Sequence, residues 1–214
     1  MRLLAVSVSA IERVKYNDRW VDTGIYKKCV PGSHHVGTTG LASDEQADLE
    51  NHGGIDKAVY AYTIENYRYW ENELGRELPP GQFGENLLVE GMADEHIHIG
   101  DVFRCKDVIF QVTQPRVPCF KLGIRMDDPH FVGRFHFSGR VGFYFRVLQE
   151  GTISAFAPIE RAEEDPAQLN IRDAMLALNQ GPRQLEIIDR ALAIPALSEA
   201  WRVSLTKKRE SKGD

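Results

Sequence analysis

Apolar and polar residues alternate from Leu3 to Ser9, and short apolar stretches recur near Val59-Tyr62, Leu87-Val89, Ile97-Ile99, Val108-Val112 and Val141-Leu148, separated by Gly, Pro and Asp. Alternation with period two marks a strand with one buried face, and short strands at this spacing predict a β-barrel or sandwich. The period changes between Thr63 and Leu74, where Ile64, Tyr67, Trp70 and Leu74 recur at helical intervals. Thr63 is placed to cap that helix and Gly75 to end it. The predicted arrangement is one amphipathic helix packed on a barrel. After Pro158 glycine becomes rare and three helical segments follow: Asn170 to Leu178, Pro182 to Ala193 and Ser198 to about Glu210. Asn170 and Ser198 are the expected N-caps, and Gly181-Pro182 is a break followed by a tolerated first-turn proline. Helices this short are unstable alone, so Ile171, Leu176, Leu185, Ile188, Leu192, Leu197 and Trp201 are expected to be buried against one another or the barrel. Ser204 to Asp214 is expected to fray into a solvated basic tail.

A chain of 214 residues can build one good core with a small appendage, and 43% hydrophobic content beside 27% charge is ordinary for a soluble globular protein. A net charge of −5 gives no general attraction to nucleic acid or to anionic membranes, so any anion site must be local. The apolar runs fall far below the roughly 18 residues that cross a bilayer, and the first residues lead into a strand without an apolar signal core. The expected location is the cytoplasm. Cys29, Cys105 and Cys119, odd in number and widely spaced, fit free thiols in a reducing compartment. Without a Cys-x-x-Cys pair they argue against a zinc ribbon, and three cannot supply a four-cysteine iron–sulfur site.

The candidate chemistry centres on Val112-Thr113-Gln114-Pro115-Arg116-Val117-Pro118-Cys119. Pro115 stops the preceding apolar strand, because proline has no amide hydrogen to continue a ladder. The stiffened loop that follows carries a cation and a thiol, and a neighbouring positive charge favours the thiolate that ligates soft metals. Free cysteine also serves as a small buried hydrophobe, so this loop alone leaves both roles open. His52-Gly53-Gly54, with Lys57 shortly after, allows backbone amides to approach a phosphate, or simply makes a turn. In Phe83-Gly84-Glu85-Asn86-Leu87 the Asn86 amide can meet a heterocycle or satisfy its own turn. Lys27 and Lys28 point to opposite faces if extended, one inward toward an anion, and Cys29 beside them is a competing thiol. His96 and His98 share one strand face, a rival zinc pair to which His34, His35, His130 and His136 could add ligands, although Ile97 and Ile99 as the buried face would leave both histidines toward solvent. Arg134, His136 and Arg140, flanking Phe135 and Phe137, are read as a half-buried strand or loop, with a rim around a substrate purine as the alternative.

Together, His52-Gly-Gly-Ile-Asp56-Lys57-Ala-Val-Tyr60, Phe83-Gly-Glu-Asn86-Leu87 and Gln114-Pro-Arg116-x-Pro-Cys119 resemble, in order, the signature of MOSC-domain proteins of the YiiM subgroup. The resemblance extends through Gly100-Asp101 to the tail from Trp201 to Arg209. It implies a mainly β fold: a MOSC-type β-barrel over residues 1–162, followed by a three-helix domain over 163–214. It also implies a molybdenum cofactor, with Cys119 as metal ligand and catalytic residue. Arg116, Lys27 and Lys57 would neutralise the cofactor phosphate, and His52, Asp56 and Asn86 would line the pocket. The implied activity is reduction of N-hydroxylated compounds such as 6-N-hydroxylaminopurine, a detoxification, with electrons from a separate flavin or iron–sulfur protein, since the chain has neither fingerprint. Pyridoxal phosphate binding is a further association at family level. The alternatives are a non-enzymatic carrier of the cofactor or its sulfur, and a zinc hydrolase. One departure stands out: Ser43 precedes Asp44 where many members carry glycine.

Overall fold

The computed structural model describes residues 1–48 and 53–211. The chain opens with β1 (Arg2–Val8), a hairpin of β2 (Glu12–Tyr16) and β3 (Arg19–Thr23), and the short strands β4 (Lys28–Cys29), β5 (Ser33–Gly37) and β6 (Gly40–Leu41). Then come β7 (Val59–Thr63), α1 (Ile64–Leu74), β8 (Leu87–Glu90), β9 (Val102–Cys105) and β10 (Val108–Pro115). They are followed by α2 (Phe120–Met126), α3 (Phe131–Ser138), β11 (Phe143–Gln149), β12 (Gly151–Ser154) and β13 (Glu160–Glu163). The last elements are α4 (Ile171–Ala174), α5 (Gln184–Ala193) and α6 (Glu199–Glu210). The main sheet has the order β13-β9-β10-β11-β7-β8-β1-β4, with β12-β5-β6 and the β2-β3 hairpin as separate ladders. Only the β7–β8 pairing is parallel among the described ladders.

The expected closed barrel is corrected by this topology. Its outermost strands, β13 and β4, do not pair, and the fold is a mixed, sheet-dominated one with helices on the sheet. Alternation in short strands specifies which face is buried but not whether the edges meet. The helix over Ile64–Leu74 follows its sequence signals. Thr63 accepts the Asn66 amide hydrogen at 3.1 Å, and Gly75 closes the helix at φ 64°. Tyr67 and Trp70 of α1, Phe131 and Phe135 of α3, and Phe83 pack as one aromatic cluster on Tyr62. The stretch from Arg134 to Phe137, expected as a half-buried strand or loop, is helical, within α3: Phe131 and Phe135 lie four apart and both are buried, a helical interval.

Two further expectations change. Ile97 and Ile99 are buried, but they belong to a turn with a single bridge, His98 to Asn170, rather than to a strand. The tail does not fray from Ser204: α6 continues to Glu210, where Lys208 donates to the Leu178 carbonyl at 2.7 Å and Arg209 pairs with Asp189. Asn170 and Ser198 cap α4 and α6 as expected, accepting from the Asp173 and Trp201 amides. The helix after Gly181-Pro182 begins only at Gln184, and its Leu185 is exposed while Ile187 and Ile188 are fully buried. The α6 N-terminus is tied to the sheet: Ser198 Oγ donates to Gln114 Oε1 at 2.6 Å, its amide donates to the Thr113 carbonyl, and the Glu199 amide donates to Asp56 Oδ2. These bonds set the C-terminal helix beside the loop that bears Cys119.

Candidate functional site

Strand register builds the site. Tyr144 of β11 lies opposite Tyr60 of β7 on one side and Gln114 of β10 on the other, so the three stand in a row at the end of β10. The two tyrosine rings are 5.3 Å apart. Pro115 ends β10, and the chain turns through Arg116 to Cys119, which precedes the first turn of α2. A cleft of about 600 Å³ opens here, lined by Cys119, Arg116, Lys27, Lys57, Tyr60, Tyr144, Asn86, Lys121 and the segment Asp44 to Asp48. Cys119 is half-buried. Cys29 is exposed on an edge strand and Cys105 is buried in β9, where burial pushes its thiol up to about 11; neither lines the cleft.

Arg116 is the unusual group. Only 6% exposed, it lies 5.1 Å from the Tyr60 ring centroid and 5.3 Å from that of Phe135, with its amide bonded to the Gly142 carbonyl. It is within hydrogen-bonding reach of the Tyr144 hydroxyl and close enough to Cys119 for the thiol to act on it. Burial works against its charge, yet Tyr60, Tyr144 and Cys119 together outweigh that and hold its pKa above the ordinary value. It makes no ion pair among the described residues, and its buried Nη1 has no hydrogen-bond partner there. Burial likewise raises Tyr144, which keeps its proton. The turn under Arg116 is fixed from below. Asp94, buried and pushed up to about 6 by burial, accepts from the Gly142 amide at 2.7 Å and the Val141 amide at 3.2 Å. Gly142 is required: at φ 69° a Cβ would come within 2.4 Å of the Ala61 carbonyl oxygen.

Lys27 points inward, 7% exposed, while Lys28 is exposed, so the opposite-face expectation selects Lys27. Its charge is engaged by Asp44, a carboxylate that also accepts from the Ser9 amide at 2.9 Å and from Asn86 Nδ2 at 2.8 Å. Burial lowers the Lys27 pKa in spite of Asp44. Asn86 lines the cleft but its amide is already committed: Oδ1 accepts from the Tyr60 amide and Nδ2 serves Asp44 and the Ser7 carbonyl. Asp56 does not line the cleft. Arg146 holds its Oδ1 at 2.6 and 2.9 Å, and the α6 amide takes its Oδ2, so it ties elements together. Lys57 does line the cleft; burial lowers its pKa, opposed by Asp48 and Asp56. His52 lies outside the described residues. Ser43, where a glycine was expected, shows no positive φ, so that turn does not demand glycine.

Sequence reasoning did not single out Tyr60, Tyr144 or Lys121. Tyr144 lay inside a predicted strand with nothing to separate it from an ordinary strand tyrosine, whereas its register opposite Gln114 is what places it beside Arg116. Arg134 pairs with Asp128 and Glu73 on the surface, His136 with Asn179, and Arg140 lies over Tyr69; none reaches the cleft. Among the described residues no group of three or more His, Cys, Asp or Glu side chains could hold a metal, and no helix is long and apolar enough to cross a membrane.

A thiol and a buried guanidinium thus share one cleft at the end of a sheet strand. Residues 48–160 match the MOSC domain family, and the chain belongs to that family. Over 97% of its length it is 38% identical to the uncharacterized protein YflK of Bacillus subtilis, covering 94% of that protein. It superimposes on the crystal structure of YiiM from Geobacillus stearothermophilus with a TM-score of 0.82 at 30% identity, covering 97% of this chain and 98% of that one. A protein named Reductase from Gibberella moniliformis is 34% identical over 74% of this chain, which spans 29% of that longer protein.

Proposed function

We propose that the chain is a molybdenum-cofactor-dependent oxidoreductase that reduces N-hydroxylated compounds, of which 6-N-hydroxylaminopurine is the type substrate. MOSC domains bind molybdenum cofactor. The observation that carries the reading is Arg116, which lines the cleft beside Cys119 and whose buried Nη1 has no hydrogen-bond partner among the described residues. Burying a charge without a partner is costly, and an anionic ligand removes that cost. The residues therefore fit the cofactor: Cys119 as thiolate ligand to the metal, and Arg116, with Lys57 and Lys121 on the same walls, for its negative charge. The bound cofactor supplies two-electron redox chemistry, which no side chain here provides. The reaction breaks the N–O bond of R–NHOH with two electrons and two protons, giving R–NH2 and water. A separate flavin or iron–sulfur protein delivers the electrons.

The chain's own groups prepare this chemistry. The Arg116 charge favours the Cys119 thiolate. Tyr144, its proton held by burial, offers a hydroxyl donor beside both. The Asp44 bridge neutralises Lys27, so Arg116, whose Nη1 has no hydrogen-bond partner among the described residues, is the better placed of the two for an anion. Support from relatives is the name of the Gibberella protein, Reductase. Nothing in the cleft or in these relatives supports pyridoxal phosphate, which is not part of the proposal. The test supplies purified protein from a cofactor-competent host with a chemical reductant and follows conversion of 6-N-hydroxylaminopurine to adenine. Turnover that requires molybdenum is expected. Cofactor release to a second protein, without any turnover, would overturn the reading in favour of a carrier.

A further inference from the structure

The rim of the cleft that holds Cys119 carries exposed apolar groups and cations that cofactor binding leaves unused. We propose that this rim, from the β2–β3 hairpin to the first turn of α2, is the docking face for an acidic electron-transfer protein; the electron flow, though not the docking, rests on the reductase reading.

The hairpin is a ladder of its own, and its register assigns its faces. Val14 pairs with Val21 and Tyr16 with Arg19, so these four share one face, while Arg13, Lys15, Trp20 and Asp22 share the other. The first face meets α2. The Tyr16 ring lies 5.6 Å from that of Phe120, and Thr23, on the same face, lines the cleft. Phe120 is nonetheless 46% exposed and Val117 42%, the two flanking Pro118 and Cys119 in sequence. Apolar groups gathered at an opening and rimmed by charge mark a contact surface. The charges say for what. Residues 115–126 carry Arg116, Lys121 and Arg125 and no carboxylate, within a chain of net charge −5. Lys15 and Arg19 extend this strip along the hairpin, with Asp18 in the turn as the carboxylate nearest to them in sequence. Lys15, Arg19 and Lys121 make no ion pair among the described residues, whereas Arg13 is paired with Asp22 at 3.7 Å. An acidic chain with cations collected at one opening draws an acidic partner there and repels it elsewhere, which orients the encounter. Electron-transfer complexes are small and transient, a scale that a rim of this size can serve. A donor seated on Phe120 stands beside Cys119, its neighbour in the chain. Each N–O bond broken consumes two electrons, delivered as two one-electron transfers that leave the donor oxidised, with the two protons coming from solvent.

The test drives the holoenzyme with reduced flavodoxin and, separately, with reduced plant-type ferredoxin, both acidic, and compares each with dithionite. The variant is Lys15→Glu with Arg19→Glu, at exposed hairpin positions that do not line the cleft. With at least one protein donor the second-order rate should fall with added salt and drop by about tenfold in the variant, as rim charges act on association. Dithionite-driven turnover and molybdenum content should stay at wild-type values. Arg104→Glu is the charge-reversal control: it lies opposite Ile109 at the start of β10, about 20 Å along the strand from Pro115, and should change the rate by less than about twofold. Lys15→Gln with Arg19→Gln, with a loss of about threefold, makes the same test should the double reversal fail to fold. Equal donor-driven rates in wild type and folded variant would overturn the assignment, as would failure of both donors on a wild type that dithionite drives. A wild-type dimer in sedimentation that the variant abolishes would overturn it in favour of a second copy. If dithionite drives no turnover either, the reductase reading fails on its own. The face is then judged by calorimetric titration with oxidised flavodoxin and oxidised ferredoxin: binding of at least one that weakens in the variant upholds it, and equal or absent binding of both overturns it.

Discussion

Arg116→Met separates a ligand-binding role from a structural one, because it removes the guanidinium while keeping an unbranched apolar stem. The ring contacts to Tyr60 at 5.1 Å and to Phe135 at 5.3 Å are lost on the folded side, together with the hydrogen bond to the Tyr144 hydroxyl. Cation–π contacts of this kind contribute about 0.5–2 kcal/mol each. The substitution also removes a buried cation that makes no ion pair among the described residues. Replacing buried charges by apolar groups is often neutral or stabilising by about 1–4 kcal/mol. The two effects oppose each other, and the apo-protein should change by less than about 2 kcal/mol. An anion held by Nη1 loses a charge-assisted hydrogen bond of about 1.5–3 kcal/mol. That corresponds to about a 10- to 150-fold rise in dissociation constant. The assay is pterin content after dialysis, read beside the melting temperature of cofactor-free protein so that the stabilising effect of bound ligand does not enter. Pterin retained as in the wild type, together with an apo-protein destabilised by more than about 3 kcal/mol, would refute the reasoning and make Arg116 a clamp on the Pro115–Pro118 loop.

Asp94→Asn should change the pH profile of stability. The wild-type carboxyl is pushed up to about 6 by burial, so the folded state holds its proton more tightly than the unfolded chain. For this group, stability is greatest below about pH 4, falls as pH rises toward 6, and is level above; a shift of about two units corresponds to about 3 kcal/mol. The unfolding free energy of the variant minus that of wild type should therefore move in the variant's favour by about that amount between pH 4 and 7, and a flat difference in urea titrations would contradict it. Asp44→Asn leaves Lys27 buried without its carboxylate and should cost about 3–5 kcal/mol in the same titrations; a loss below about 1 kcal/mol would show that the Lys27 charge is met elsewhere. Cys29→Ala, on an exposed edge strand away from the cleft, should leave both molybdenum content and turnover unchanged; loss of either would make Cys29 part of the site.

What the sequence made legible follows from how local its signals are. The Thr63 cap and Gly75 stop bound α1 correctly because both act within one helical turn. Pro115 ends β10 for the same reason, and the Lys27/Lys28 choice needed only the period of an extended chain. The hairpin of β2 and β3, half exposed and rich in charge, carries no buried stripe to announce it. Closure of the sheet depends on edges far apart in sequence, and no alternation within a strand encodes it. At the site, Cys119 and Arg116 could be paired from their spacing in one loop. The Lys27–Asp44–Asn86 chain joins three separate segments, and so the same residues that read as ligand contacts in sequence prove to be bonded to one another. Asp56 read as a pocket residue for a similar reason: its partners, Arg146 and the Glu199 amide, are 90 and 143 positions away.

The central claim is that Cys119 holds a molybdenum cofactor in the cleft beside Arg116. Molybdenum and pterin measured together on protein purified from a cofactor-competent host, wild type beside Cys119→Ala, test it most directly. The account predicts stoichiometric molybdenum and pterin in the wild type, and loss of molybdenum from Cys119→Ala with the apo-protein's melting temperature unchanged. Equal molybdenum in the two proteins, or stoichiometric zinc in place of molybdenum in both, would contradict it.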